Sequence, residues 1–148
     1  MNDKPMNDTI QAIPYLSVVR VEGGDAGDFL QSQLSNDITP VDAGASQLSA
    51  FCTPKGRILG LMRIFHSGDN YYLRLPVDSL DAVLERLRMY VLRADVTLED
   101  ATENFLRLGI SGEHAPDHLA AAGLDVPGEV EAISHSVDST VIRVPGGR

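Results

Sequence analysis

Apolar and polar positions alternate through LSAFCTPKGRILGLMRIF, Leu48 to Phe65, and the alternation breaks once, at Thr53-Pro54-Lys55-Gly56. Proline fits the first central position of a tight turn and glycine accepts the positive φ that closes one, so the stretch predicts a β-hairpin. Before the turn, Leu48, Ala50 and Cys52 alternate with Ser49, Phe51 and Thr53. After it, Ile58, Gly60, Met62 and Ile64 share one face and Leu59, Leu61 and Phe65 the other. A strand apolar on both faces is expected to lie inside the molecule. The turn then carries two cations, Lys55 and Arg57, on a rigid support.

The flanking patterns predict the remaining elements. Met1 to Gln11 is polar and aperiodic, and residues 1–14 are read as a flexible N-terminal arm ahead of a single region over 15–148. Tyr15 to Val21 reads as a strand. Ala26, Phe29, Leu30 and Leu34 recur at helical spacing behind Asp25, a plausible N-cap. Tyr71, Leu73 and Leu75 mark a further strand. Leu80, Val83, Leu84, Leu87 and Val91 form the stripe of the longest helix, capped by Asp78 or Ser79. Strands follow near Val96 to Leu98 and Phe105 to Ile110, a helix begins at Pro116, and strands near Val130 to Ile133 and Thr140 to Val144 finish the chain. From Tyr71 to about His135 the order β-α-β-β-α-β suggests a ferredoxin-like arrangement. The fold class is therefore α+β, an antiparallel sheet with packed helices. A soft boundary is expected near Asp42 to Ala45.

Charge narrows the functional classes. The 148 residues hold 12 Lys plus Arg against 21 Asp plus Glu, a net charge of -9, which opposes nonspecific binding to nucleic acid or to an anionic membrane. One cysteine, Cys52, leaves no intrachain disulfide, and the start of the chain has no apolar core of a signal or spanning segment. The expected compartment is the cytoplasm.

Candidate chemistry is sparse. Lys55-Gly56-Arg57 suits a carboxylate or phosphate, or is a solvated turn. The end of the first helix offers Gln31, Gln33, Asn36 and Asp37 to a polar ligand or to water. Cys52 has no neighbouring His or second Cys in sequence, so it reads as a structural thiol. His114 and His118 have a metal-site spacing that Pro116 interrupts, with no third ligand in view. Glu99-Asp100-Ala101-Thr102-Glu103 reads as a solvated loop. No phosphate loop or nucleophile elbow is present, and neither a catalytic nor a metal-binding residue is assigned.

One pattern is more specific. Asp25-x-x-x-Phe29-Leu30-Gln31-x-Gln33-Leu34-x-Asn36-Asp37, followed by Cys52-Thr53-Pro54-Lys55-Gly56-Arg57 and Arg63-Ile64-Phe65, resembles the N-terminal part of the YgfZ family of folate-binding proteins. These are related to the glycine-cleavage T-protein, an aminomethyltransferase. The resemblance implies a tetrahydrofolate-type ligand in a central opening, and a role in maintaining iron-sulfur enzymes, including those that modify tRNA; it does not imply that this chain touches tRNA, and with a net charge of -9 no direct nucleic-acid contact is expected. It points to Asn36, Asp37, Lys55, Gly56 and Arg57 as folate-facing residues. The T-protein aspartate pair falls where this chain has Leu59 and Gly60, so aminomethyl transfer is not expected. The family's later Lys-Gly-Cys-Tyr-x-Gly-Gln-Glu motif is absent, which implies a chain truncated before the family's second half. Three readings stand: a folate-binding module, an aminomethyltransferase fragment, and a structural domain that binds nothing and self-associates around Val141 to Val144.

Overall fold

The computed structural model describes residues 7–146. In chain order its elements are β1 (Thr9–Ala12), β2 (Leu16–Glu22), α1 (Ala26–Gln33), α2 (Thr39–Asp42), β3 (Gln47–Cys52), β4 (Ile58–Ser67), β5 (Asn70–Pro76) and α3 (Val77–Met89). They continue with β6 (Thr97–Asp100), a 3-10 turn (Thr102–Asn104), β7 (Leu108–Ser111), α4 (Ala115–Ala121), β8 (Ile133–His135) and β9 (Thr140–Ile142). The chain divides into two compact units. Pro14–Phe105 forms one, and the segments up to Ile13 and from Leu106 form the other. The boundary expected near residues 42–45 is not there, because Val41 is fully buried in the core of the first unit.

In the Pro14–Phe105 unit, a five-stranded sheet runs β3-β4-β5-β2-β6, antiparallel throughout. Reading β2, α1, β4, β5, α3 and β6 gives the ferredoxin-like β-α-β-β-α-β order, with β3 added at one edge. That arrangement starts at Leu16, so its expected window of Tyr71 to His135 is corrected. The sequence shows strands but not partners, and β2 inserts between β5 and β6 through long-range pairs such as Val19 with Leu73 and Val21 with Leu98. One sheet face carries Val19, Val21, Leu73, Leu75, Met62 and Ile64, all buried, against Leu30 and the α3 stripe Leu80, Val83, Leu84 and Leu87. Pro76 rather than Asp78 or Ser79 precedes α3, as befits a residue with no N–H to leave unsatisfied near a helix start. At Gly60 the helix comes so near that a Cβ would lie 2.6 Å from Val83 Cγ2.

Three local expectations are revised. Strand β4 is buried on both faces only from Met62 to Phe65; nearer the turn, Ile58 is 65% and Leu61 53% exposed. Glu99 and Asp100 belong to β6, and Thr102 begins a helical turn whose N–H and hydroxyl both donate to Asp100 Oδ1. Residues 9–12, expected within an arm, form a strand whose partner β7 lies about a hundred residues away, with Ile10 opposite Ile110.

The second unit is two ribbons, β1-β7 and β8-β9, with α4 between β7 and β8. None of its described Ile, Leu or Val side chains is buried. Asp8 anchors the start of α4. It accepts the His114 N–H at 3.0 Å and meets His118 Nε2 at 3.2 Å, and the first of these holds its carboxyl below the usual range.

Candidate functional site

The hairpin turn is built as its sequence dictates. Thr53 O accepts the Gly56 N–H at 2.8 Å, Thr53 N–H donates to Arg57 O at 2.8 Å, and Thr53 Oγ1 accepts the Arg57 N–H at 3.2 Å. Gly56 sits at φ +80°, where a side chain is strained and glycine is not. Lys55, Gly56 and Arg57 are exposed on this fixed turn. Two cations are thus presented with little backbone entropy left to lose on binding an anion. Cys52 is half-buried and pairs with Ile58 at the point where the β3-β4 register shifts.

Asn36 and Asp37 lie between α1 and α2, and the structure gives them different work. Asn36 Nδ2 donates to Leu48 O at 2.6 Å and its N–H donates to Ser49 Oγ, while Ser35 N–H donates to Ala50 O and Ser35 Oγ accepts the Ala50 N–H. Ser35 and Asn36 therefore close the free edge of β3, an edge that would otherwise offer unpaired backbone groups. Asp37 Oδ1 accepts both the N–H and the hydroxyl of Thr39, and these bonds hold its carboxyl below the usual range.

Asp37 also lines an open cleft of about 510 Å³, with Asp28, Asp42, Gln31, Thr39 and Tyr71. Tyr71 donates its hydroxyl hydrogen bond to Asp42. Burial, that bond, and the charges of Asp42 and Asp28 push the phenol up to about 12. Gln31 Oε1 is committed to the Ile38 N–H at 2.8 Å. Three carboxylates make the cleft a poor place for an anion and a good one for ligand N–H groups. Of the five expected residues, only Asp37 lines it.

The five residues do not converge on one spot. Asn36 is bonded at Leu48, and the strand from Leu48 to Thr53 spans about 17 Å at 3.3 Å per residue. A single ligand reaching from this loop to the hairpin turn has to be elongated.

Sequence reasoning missed the opposite face of the sheet. Register places Arg63 beside Arg74, and Phe65 beside Tyr72, which itself faces Arg20. Phe65 stacks on Tyr72 with centroids 5.3 Å apart, and Phe105 meets Tyr72 edge-on at 5.5 Å. The signal was available as a period of two, since Arg63, Phe65, Tyr72 and Arg74 alternate with core residues. Their charges are largely engaged: Arg20 pairs with Glu22 and Glu99, and Arg63 is buried with Nη1 on Ser46. His114 lies 3.5 Å from Asp117. Among the described residues no group of three His, Cys, Asp or Glu side chains is placed to hold a metal ion, and no helix is long and apolar enough to cross a membrane.

The family comparison is decisive about ancestry: residues 12–139 match the model of the GCVT N-terminal domain. The chain belongs to that family. Over 131 residues it is 30% identical to the tRNA-modifying protein YgfZ of Hamiltonella defensa subsp. Acyrthosiphon pisum, a match covering 88% of this chain and 39% of that protein. The Sodalis glossinidius protein of the same name is 25% identical over 134 residues, covering 90% and 40%. The fold matches the crystal structure of glycine cleavage system aminomethyltransferase T from Bartonella henselae with a TM-score of 0.73 and 18% identity, covering 87% of this chain and 36% of that one. This GCVT N-terminal domain thus spans about two-fifths of the length of the curated relatives it matches.

Relative to the T-protein resemblance, the two positions expected to hold aspartates are apolar or packed. Leu59 is half-buried against the core, and Gly60 has no room for a Cβ beside Val83.

Proposed function

We propose that this chain is a folate-binding module of the YgfZ type, an accessory to iron-sulfur enzymes, including those that modify tRNA, and that it acts in the cytoplasm without aminomethyl transfer. The observation that carries this reading is the fixed cation pair Lys55 and Arg57 on the hairpin turn of a chain whose net charge is -9. In this reading the ligand is tetrahydrofolate. Its terminal glutamate carboxylates meet Lys55 and Arg57, and the N–H-rich pterin end lies toward Asp37, which keeps acceptor capacity beyond Thr39. Gly56 lets the turn close, and Asn36 supports the loop from the edge of β3. An elongated ligand with one donor-rich end and one anionic end suits the separation of the two places. Family membership and the YgfZ name of the relatives support the choice of ligand class. The packed Gly60 weighs against an aminomethyltransferase.

Calorimetric titration of the chain with reduced tetrahydrofolate tests the reading. Saturable binding is expected, weakened about a hundredfold or more in a Lys55→Ala, Arg57→Ala double variant, since charge-assisted hydrogen bonds contribute about 1.5–3 kcal/mol each. A folded sample that gives no heat, or a double variant that binds as well as the parent, overturns it.

A further inference from the structure

Between α3 and β6 the chain exposes a leucine in a conformation that leucine disfavours. Ala94 N–H donates to Val91 O at 2.9 Å, which makes Leu92 and Arg93 the two central residues of a tight turn. Leu92 holds φ +49°, a left-handed backbone that suits glycine, asparagine or aspartate at this place in a turn. It is also 86% exposed, so it adds nothing to the core of its own unit. Arg93 is exposed as well, and among the described residues it pairs with no carboxylate.

The same unit carries the complement of that tip. No Lys, Arg or His lines the cleft of about 510 Å³, and the carboxylate of Asp28 meets no cation among the described residues. Gly23, Gly24 and Gly27 form one wall, bare backbone that a side chain can approach closely. The turn is fastened beside this wall. Asp95 Oδ2 accepts the Gly24 N–H at 2.9 Å, and Asp95 N–H donates to Asp25 Oδ2 at 2.8 Å. At about 3.8 Å per residue, the tip lies within roughly 11 Å of chain from Asp95. Cationic apolar tip and acidic cleft are therefore neighbours on one unit, yet the exposure of Leu92 places it outside the cleft of its own chain.

We propose that two copies of this chain associate about a two-fold axis that sets the Leu92–Arg93 tip of each in the acidic cleft of the other. Neighbouring complementary patches are what a two-fold contact requires, because each copy then gives and receives the same contact and the assembly closes at two. Arg93 meets the Asp28 carboxylate of the other copy, and Leu92 covers its glycine wall. The net charge of -9 opposes an anionic bilayer or nucleic acid as the occupant. Between two copies it is screened beyond about 8 Å at physiological salt, so the local opposite charges decide. The contact belongs to the ligand-free chain and does not depend on which small molecule the cleft takes.

Sedimentation equilibrium of the ligand-free chain tests this, with the chain itself as the probe. A contact this small is of the weak class, so the range to cover is about 10 µM to 1 mM. The mass is expected to rise with concentration and level off at twice that of the monomer. Arg93→Asp and, separately, Asp28→Arg should each raise the dissociation constant about tenfold or more, since each sets like charges together. Combined in one chain, the two changes restore opposite charges at both contacts and should return the dissociation constant to within about threefold of the parent's. That recovery also shows that neither single variant failed by misfolding. Leu92→Asn keeps a residue that accepts the left-handed backbone, so its urea midpoint should hold or rise while the dissociation constant increases about tenfold. The proposal is overturned if the chain stays monomeric throughout, if the mass climbs past the dimer, if Arg93→Asp leaves association unchanged, or if the charge-reversed pair does not recover it.

Discussion

Gly60 offers a quantitative check on how α3 is seated. A Cβ at this position would lie 2.6 Å from Val83 Cγ2, about 1 Å inside the ordinary carbon–carbon contact. Val83 is fully buried and β-branched in a helix, so one χ1 rotamer dominates and the methyl cannot swing aside. Gly60→Ala must therefore push helix from sheet, a change that typically costs about 1–3 kcal/mol. Val83→Ala alone removes two buried carbons at about 0.8 kcal/mol each and leaves a cavity, for a loss of about 1.5–3 kcal/mol. In the double variant the new methyl occupies the space that Cγ2 vacated. The combined loss should then fall short of the sum by about 1–2 kcal/mol, a coupling of the size seen between contacting residues. Urea unfolding of the four proteins, followed by far-UV circular dichroism, measures it, and unchanged m-values would confirm that a common unfolded state is compared. Additivity within about 0.5 kcal/mol would refute the contact and, with it, the reason given for glycine in this strand.

Two further outcomes are expected. Tyr71→Phe removes the hydroxyl bond to Asp42 and should cost about 1 kcal/mol at neutral pH. Because folding raises this phenol from 10.0 to about 12, its contribution is complete below pH 10 and is lost as pH rises through 12. Absorbance titration at 295 nm should show the component with the highest midpoint disappearing in Tyr71→Phe; an unaltered titration would contradict the placement. Asn36→Ala frees Leu48 O at the edge of β3. It should lower stability by about 1 kcal/mol and, in analytical ultracentrifugation, raise the mass with concentration as exposed edges pair. A variant as stable and as monomeric as the parent would return Asn36 to the list of residues free to face a ligand.

Legibility in the sequence followed the range of the interaction. The hairpin turn was readable because Pro54 and Gly56 act on their own backbone, and the α3 stripe because Leu80, Val83, Leu84 and Leu87 repeat within one element. The insertion of β2 between β5 and β6 was not readable, since no local pattern in Leu16–Glu22 names a partner. Nor was the strand at Thr9–Ala12, whose polar composition is overridden by pairing with β7. Ile58 and Leu61 misled for a related reason: hydrophobicity records a preference for burial, and here nothing among the described residues satisfies it. At the candidate site, the cations of the turn were visible as residue types. The division of labour between Asn36 and Asp37 depends on which carbonyl lies within reach, and only the fold decides that.

The nesting of the two units has a consequence for synthesis. All residues of the five-stranded sheet lie between Pro14 and Phe105, so that unit can fold as soon as it clears the ribosome, before β7 exists. Strand β1 is made before the sheet and cannot pair until β7 follows it. At about 5–20 residues per second, Thr9–Ala12 waits on the order of 5–20 s for Leu108–Ser111 to be translated. During that interval Ile10 has no strand opposite it, and the emerging chain is a finished sheet trailing an unpaired strand at its N-terminal side. A chaperone or a partner that engages this family early would therefore meet that strand before any other part of the second unit.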